Sequence, residues 1–388
     1  STTVNANVGT ITVKRNSNSL SHLDNTLWSS PVASQNLSVF SPTTSTNRFY
    51  IYNSGTDLYN SVVPSTTNFA TGTGYLIRMP NTDPTTGYDA GTSPLIFPGV
   101  FTGIPNNGDV NLNGLTSDKY YAVGNPYPST LNADLFLNAN STGGTLYFWR
   151  KSNAAAGTAY ATYTLGGSTG TSAGTNGIAP NGAIQVGQGF IVKIGAVATT
   201  LNFTNAMRSA NTANQFFKTK NVVERNRIWL NLTSSTGVFS QMLVGYMSDA
   251  TQDVDAGIDG RYINDSPIAL TSNINNEEYT IQGRALPFDP SDVVALNFKT
   301  DVAGESTISI DHFDGFFNSS QDIFLKDNVT GTETDLKKGA YTFSAAAGID
   351  NSRFSLKYQK ALSIKPTTFN EINVKAYNNK GIVYVNSG

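Results

Sequence analysis

Short apolar and aromatic runs recur along the whole chain, each closed within a few positions by Gly, Asn, Ser or Pro. Gly9-Thr-Ile-Thr-Val-Lys14, Arg48-Phe-Tyr-Ile-Tyr52, Thr145-Leu-Tyr-Phe-Trp149 and Arg227-Ile-Trp-Leu-Asn-Leu232 are typical. Runs this short, rich in β-branched and aromatic residues and punctuated by turn formers, predict strands. One stretch has helical spacing: Ser129 to Leu137 follows Pro128, offers Ser129 as an N-cap and sets Leu131, Leu135 and Phe136 on one face. The pattern predicts an all-β chain with a single helix of one or two turns.

The strand pattern also repeats. Gly72-Thr-Gly-Tyr-Leu-Ile-Arg78 matches Gly187-Gln-Gly-Phe-Ile-Val-Lys193 in residue type at every position. Trp28-Ser-Ser-Pro31 corresponds to Val123-Gly-Asn-Pro126, Arg48–Tyr52 to Thr145–Trp149, and Leu95-Ile-Phe97 to Leu201-Asn-Phe203. Four anchors in one order predict a tandem duplicated β module over 20–217, with copies about 20–115 and 116–217. The second copy carries a Gly/Ser/Thr-rich insertion, Leu165 to Asn181, and residues 1–19 form a leading β segment. A polar boundary near Asn211–Val223 precedes alternating strands over 224–360, spaced as in a β-sandwich. A linker then leads into a hairpin within 369–388, too small to bury a core of its own and so read as the truncated start of a further domain.

Composition narrows the class. Only 13% of the 388 residues are charged, with Ser, Thr, Asn and 35 glycines in their place. Such a surface suits solvated strand faces and turns better than long helices. With a net charge of −2 and no basic stripe, a nucleic-acid partner is not expected. No apolar run approaches the ~20 residues of a membrane helix. The absence of cysteine favours a bacterial exported protein over a disulfide-bonded eukaryotic one. A start at Ser1 without a signal peptide implies a cleaved leader or an internal fragment.

Candidate chemistry is sparse. His22 and His312 are the two histidines, and although His312 has Asp311 and Asp314 nearby, no Gly-x-Ser-x-Gly turn accompanies it. A zinc site is not expected without cysteine. No pair among the 27 acids stands out as the two carboxylates of a glycosidase. Asp109-Val-Asn-Leu-Asn-Gly114 imitates the start of an EF-hand loop, but position twelve is Tyr120, so it reads as a polar turn. The acidic run from Asp249 to Gly260 is the better metal candidate: Asp249, Asp253, Asp255 and Asp259 could hold calcium through hard oxygen ligands, the alternative being a solvated acidic loop. No other cofactor is expected. Tyr120, Tyr121, Tyr127 and Trp149 could form a sugar-stacking platform or, as alternating strand residues, serve the core.

Several of these stretches resemble one lineage. Trp28-Ser-Ser-Pro-Val32, Val123-Gly-Asn-Pro-Tyr-Pro-Ser129, Gly187–Lys193, Arg227–Leu232, Gln282-Gly-Arg-Ala-Leu-Pro-Phe288 and Asp322-Ile-Phe-Leu-Lys-Asp327 look like parts of large flavobacterial surface proteins. Those proteins are exported through the type IX secretion system of Bacteroidota and end in a small sorting domain, whose opening hairpin Phe369–Gly388 resembles. The resemblance implies export guided by the type IX translocon and its outer-membrane shuttle barrel, and an extracellular or outer-membrane-associated location. The expected function is that of a non-catalytic structural or adhesive surface protein, with a surface polysaccharide or another surface protein as partner. The alternatives are a carbohydrate-binding accessory region of a larger hydrolase and a pure spacer.

Overall fold

A computed structural model describes residues 7–20, 23–80, 95–150, 157–170, 179–209, 224–360, 374–379 and 382–387. The chain is all-β, its α-helices among the described residues being only Leu37–Phe40 and Ala133–Ala139. The first unit carries a four-stranded sheet in the spatial order Asn25–Trp28, Tyr75–Arg78, Phe49–Asn53, Leu58–Ser61. The second unit carries Tyr120–Gly124, Gly189–Ile194, Thr142–Trp149, Tyr160–Tyr163 and, at its edge, Ser168–Thr169. Leaving aside the edge strand Ser168–Thr169, the four strands of each sheet, taken in chain order, occupy the same places in it. The flanking pairs also correspond: Ile11–Leu20 pairs with Leu95–Gly103, and Val110–Leu112 with Leu201–Phe203.

Each small sheet buries one face in its own core. In the first unit Trp28, Phe40, Phe69, Phe97 and Phe101 form that core, with Phe40 stacked on Phe101 at 4.5 Å and Trp28 edge-on to Phe40 at 5.2 Å. Such ring pairs are worth roughly 0.5–1.5 kcal/mol each beyond their buried area. Phe136, Phe190 and Phe203 play this part in the second unit. The opposite faces meet in a shared layer, where Leu27 and Leu76 pack with Ala122, Tyr147 and Ile191.

The expected helix starts later than its pattern suggests. Thr130–Asn132 is a strand, paired on one side with Ala183–Ile184 and on the other with Arg208–Ser209, and this pairing holds the backbone extended. Asn132, not Ser129, is the N-cap, its side chain accepting the Leu135 N–H at 3.0 Å. Ser129 instead accepts from Arg208 Nε, and Leu135 faces solvent. The helix Leu37–Phe40, capped in the same way by Asn36, escapes pattern reading because it is one turn long.

From Arg225 onward one eleven-stranded sheet bends around a single core, so hydrogen bonding is continuous where a sandwich would have two separate sheets. The bend falls in strand Glu277–Ala285. Its start pairs antiparallel with Ile268–Ile274 across an Asn275-Asn276 turn whose φ values are 53° and 65°. Its end pairs in parallel with Phe239–Met247. Leu230, Val244, Leu270, Leu296 and Leu356 meet in the core between the two halves. The sheet ends are nearly closed. Strand Phe324–Asp327 near one end meets strand Tyr341–Ala345 at the other through a hydrogen bond donated by Tyr341 Oη to Asp327, 2.8 Å long. Strand Phe239–Met247 is buried at every residue. Its inner face lines the core, and the second unit covers its outer face. The C-terminal strands Val374–Asn379 and Ile382–Ser387 pair as the expected hairpin.

Candidate functional site

The acidic run from Asp249 to Gly260 lies where the second unit meets the large sheet. Asp249 and Asp253 are exposed, Asp255 is half-buried and Asp259 is buried. The last two carboxylates are occupied by donors of the loop itself and of strand Glu277–Ala285. Asp255 accepts from the Thr251 N–H and hydroxyl, and Asp259 accepts from the N–H groups of Asp255 at 2.6 Å and Gly283 at 2.7 Å. No group of three or more His, Cys, Asp or Glu placed to hold a metal ion occurs among the described residues.

The apolar end of this loop works as a clasp. Thr164 Oγ1 donates to Ile258 O and the Leu165 N–H to Gly257 O, both at 2.7 Å. Gly144 sits so close that a Cβ there would lie 2.0 Å from Gly257 N. On the other side Ile258 rests on Gly283, where a Cβ would fall 2.3 Å from Ile258 Cγ2. A second strip of contacts extends the junction. Trp229 Nε1 donates to Ser168 O at 2.8 Å, and the Gly170 N–H donates to Gln241, which in turn donates to Asn231. Residues 165–170 of the Gly/Ser/Thr insertion are therefore docked rather than displayed; residues 171–178 fall outside the described residues.

Burial pushes the Asp259 carboxyl up to about 6, against the two N–H groups that favour its charge. The folded chain therefore holds this proton where the unfolded chain, with an ordinary value near 3.8, has lost it. Its contribution to stability is complete below about pH 4 and is lost as pH rises to about 6, an effect on the order of 2–3 kcal/mol. Denaturant midpoints measured between pH 4 and pH 7 should show this decline, and Asp259→Asn should flatten it. An unchanged slope in the variant would assign the decline to another group.

The other candidates serve packing. Tyr127 is fully buried and donates to Gly108 O and Phe203 O, and burial raises its hydroxyl to about 12. Tyr120 and Trp149 lie in the layer between the two small sheets, with rings edge-on to their neighbours. The Tyr121 hydroxyl accepts the Thr116 N–H. These rings do not line up as an open platform. His312 stacks on Trp229 at 3.9 Å with Nδ1 2.6 Å from Asp311, and no hydroxyl nucleophile is bonded to it among the described residues. His22 lies outside the described residues. Asn111 of the EF-hand-like run pairs with Asn202 in a strand. A groove of about 570 Å³ opens on the first unit, walled by Val39, Phe40, Pro42, Phe97, Pro98 and Val100.

Sequence reasoning missed Gly144, Gly257 and Gly283. Gly144 and Gly283 lie within strands, where a glycine marks close approach of another backbone, whereas Gly257 sits in the loop at a φ of 90°. The family model described as "Domain of unknown function (DUF8693)" matches residues 1–358. The chain belongs to this family. The DUF8693 match takes in both small units and the large sheet, and ends at Tyr358, which is buried in the large core. No curated protein and no solved structure matches the chain. No helix among the described residues is long and apolar enough to cross a membrane.

Proposed function

We propose that this chain is a rigid, non-catalytic segment of a secreted cell-surface protein, structural or adhesive in role, exported by the type IX system and held at the outer membrane. The observation that carries the reading is the set of main-chain hydrogen bonds that cross its junctions. Main-chain hydrogen bonds cross between the first and second units at Ser29–Gly187 and Gly124–Gly72, and between the second unit and the large sheet at Leu165–Gly257. Units joined this way hold a fixed geometry, which suits presenting a surface or spacing a neighbouring domain. Inter-domain contacts that permit closure over a substrate are looser and more polar. The carbohydrate-binding alternative is weakened because Tyr127, Tyr120 and Trp149 are committed to packing.

The test is binding of the purified chain to a panel of polysaccharides and bacterial surface preparations, with calcium and with chelator. Saturable binding to one class without turnover supports the adhesive role, and loss under chelation would bring the Asp249–Asp259 loop back as an ion site. No binding leaves the spacer role. Catalytic turnover of any panel member would overturn the proposal.

A further inference from the structure

The contacts between the two small units read the same from either side. Trp28 forms an isolated bridge with Gln188, and Val123 forms one with Thr73. The Ser29 N–H donates to Gly187 O at 3.0 Å, and the Gly124 N–H donates to Gly72 O at 2.9 Å. Under the strand correspondence Trp28 matches Val123, Ser29 matches Gly124, Gly72 matches Gly187 and Thr73 matches Gln188, so each contact maps onto the other. Gly72 and Gly187 share a φ of 76°. Gly74 and Gly189 also correspond, and both leave room for the opposite unit. A Cβ on Gly74 would lie 2.9 Å from Val123 O, and one on Gly189 would lie 2.7 Å from Leu27 Cγ. The shared apolar layer follows the same rule, with Leu27 matching Ala122, Leu76 matching Ile191 and Tyr50 matching Tyr147.

One contact marks the axis. Ser29 and Gly124 correspond to each other and also touch: a Cβ on Gly124 would sit 2.3 Å from Ser29 Cβ. A residue that meets its own counterpart lies on a two-fold axis. Only one side chain fits there, and the Ser29 hydroxyl is buried without a partner.

We infer that the first two units form an internal two-fold pair built on a self-complementary surface, and that the partner this surface fits is a second copy of the same unit, supplied here within one chain. The difference between Ser29 and Gly124 is what the axis demands. Each copy of the surface is used by the other, so the pair is closed and this face offers nothing to further copies. The Gly-x-Gly motifs are thereby explained as the places where two like backbones approach each other.

The side chain on the axis is exchangeable between the two units. The test is thermal unfolding of the full chain carrying Gly124→Ser, Ser29→Gly, or both. Gly124→Ser alone should lower the midpoint by about 5 °C or more, because two side chains then compete for one space. The double variant should return to within about 2 °C of Ser29→Gly alone. If Gly124→Ser is too unstable to purify, recovery of folded protein in the double variant decides in the same way. A double variant no better than Gly124→Ser overturns the inference, as does Gly124→Ser unfolding at the wild-type temperature.

Discussion

Asp327→Ala should lower the stability of the chain by about 3–5 kcal/mol, the usual cost of removing one partner from a buried ion pair. Asp327 is fully enclosed and accepts from Arg353 at 2.9 and 3.2 Å, from the Tyr341 hydroxyl, and from the N–H groups of Val329 and Thr330. Burial acts to raise its carboxyl, but the Arg353 guanidinium and Tyr341 hydroxyl outweigh it and hold the group below the ordinary carboxylate range. Its stabilising effect is therefore complete at neutral pH and fades only as pH falls below about 4, opposite in sign to Asp259. Arg353 lies 4.5 Å over Phe343 and 5.0 Å over Phe354. Without the carboxylate, that cation would remain in an apolar wall with only the Ser344 carbonyl to receive it. The pair also ties strand Phe324–Asp327 to strand Tyr341–Ala345, so the seam of the large sheet should loosen first. Urea unfolding checks the magnitude, and a loss under 1 kcal/mol would show that the seam is held by packing alone. Replacing both members with Leu and Met should restore much of the loss.

Gly144→Ala should be the most disruptive small change at the clasp. Gly144 has a φ of 77°, which costs any other residue roughly 1–2 kcal/mol. Its new methyl would also overlap the Gly257 backbone. Because the obstacle is main chain, it has no rotamer to adopt, and overpacking of this kind costs about 1–3 kcal/mol more. The second unit and the large sheet should part before either core melts. Limited proteolysis should then cut within 249–260 at temperatures where the wild-type chain resists. Cleavage no faster than in wild type would mean that the loop does not clasp the units.

The strands were readable because each small sheet has one face on its own core and the other in a shared layer, so its central strands read as short continuous apolar runs closed by turn residues. The matched Gly-x-Gly motifs lead into equivalent strands, Tyr75–Arg78 and Gly189–Ile194, but nothing in them set the spatial order of the strands. The start of the second helix was hidden because Thr130–Asn132 is held extended by two long-range partners, and no local signal outweighs such pairing. The acidic loop shows a related effect. Four aspartates in eleven residues look like ligands, yet Asp255 and Asp259 shape the loop by accepting its own N–H groups. What the loop presents to its neighbour is Gly257-Ile258, apolar and easily passed over. Gln241 and Asn231 are polar strand residues buried where the insertion docks, a placement that no local signal marks.

Amide hydrogen exchange of the intact chain tests the central claim, that the three units are one rigid body, most directly. The decisive amides are Ser29 and Gly124 at the first junction and Leu165 at the second. The account predicts that they exchange far more slowly than exposed loop amides, since these hydrogen bonds open only when the units part. Exchange at the rate of exposed loops, with both cores still protected, would show units hinged on flexible contacts and would contradict it.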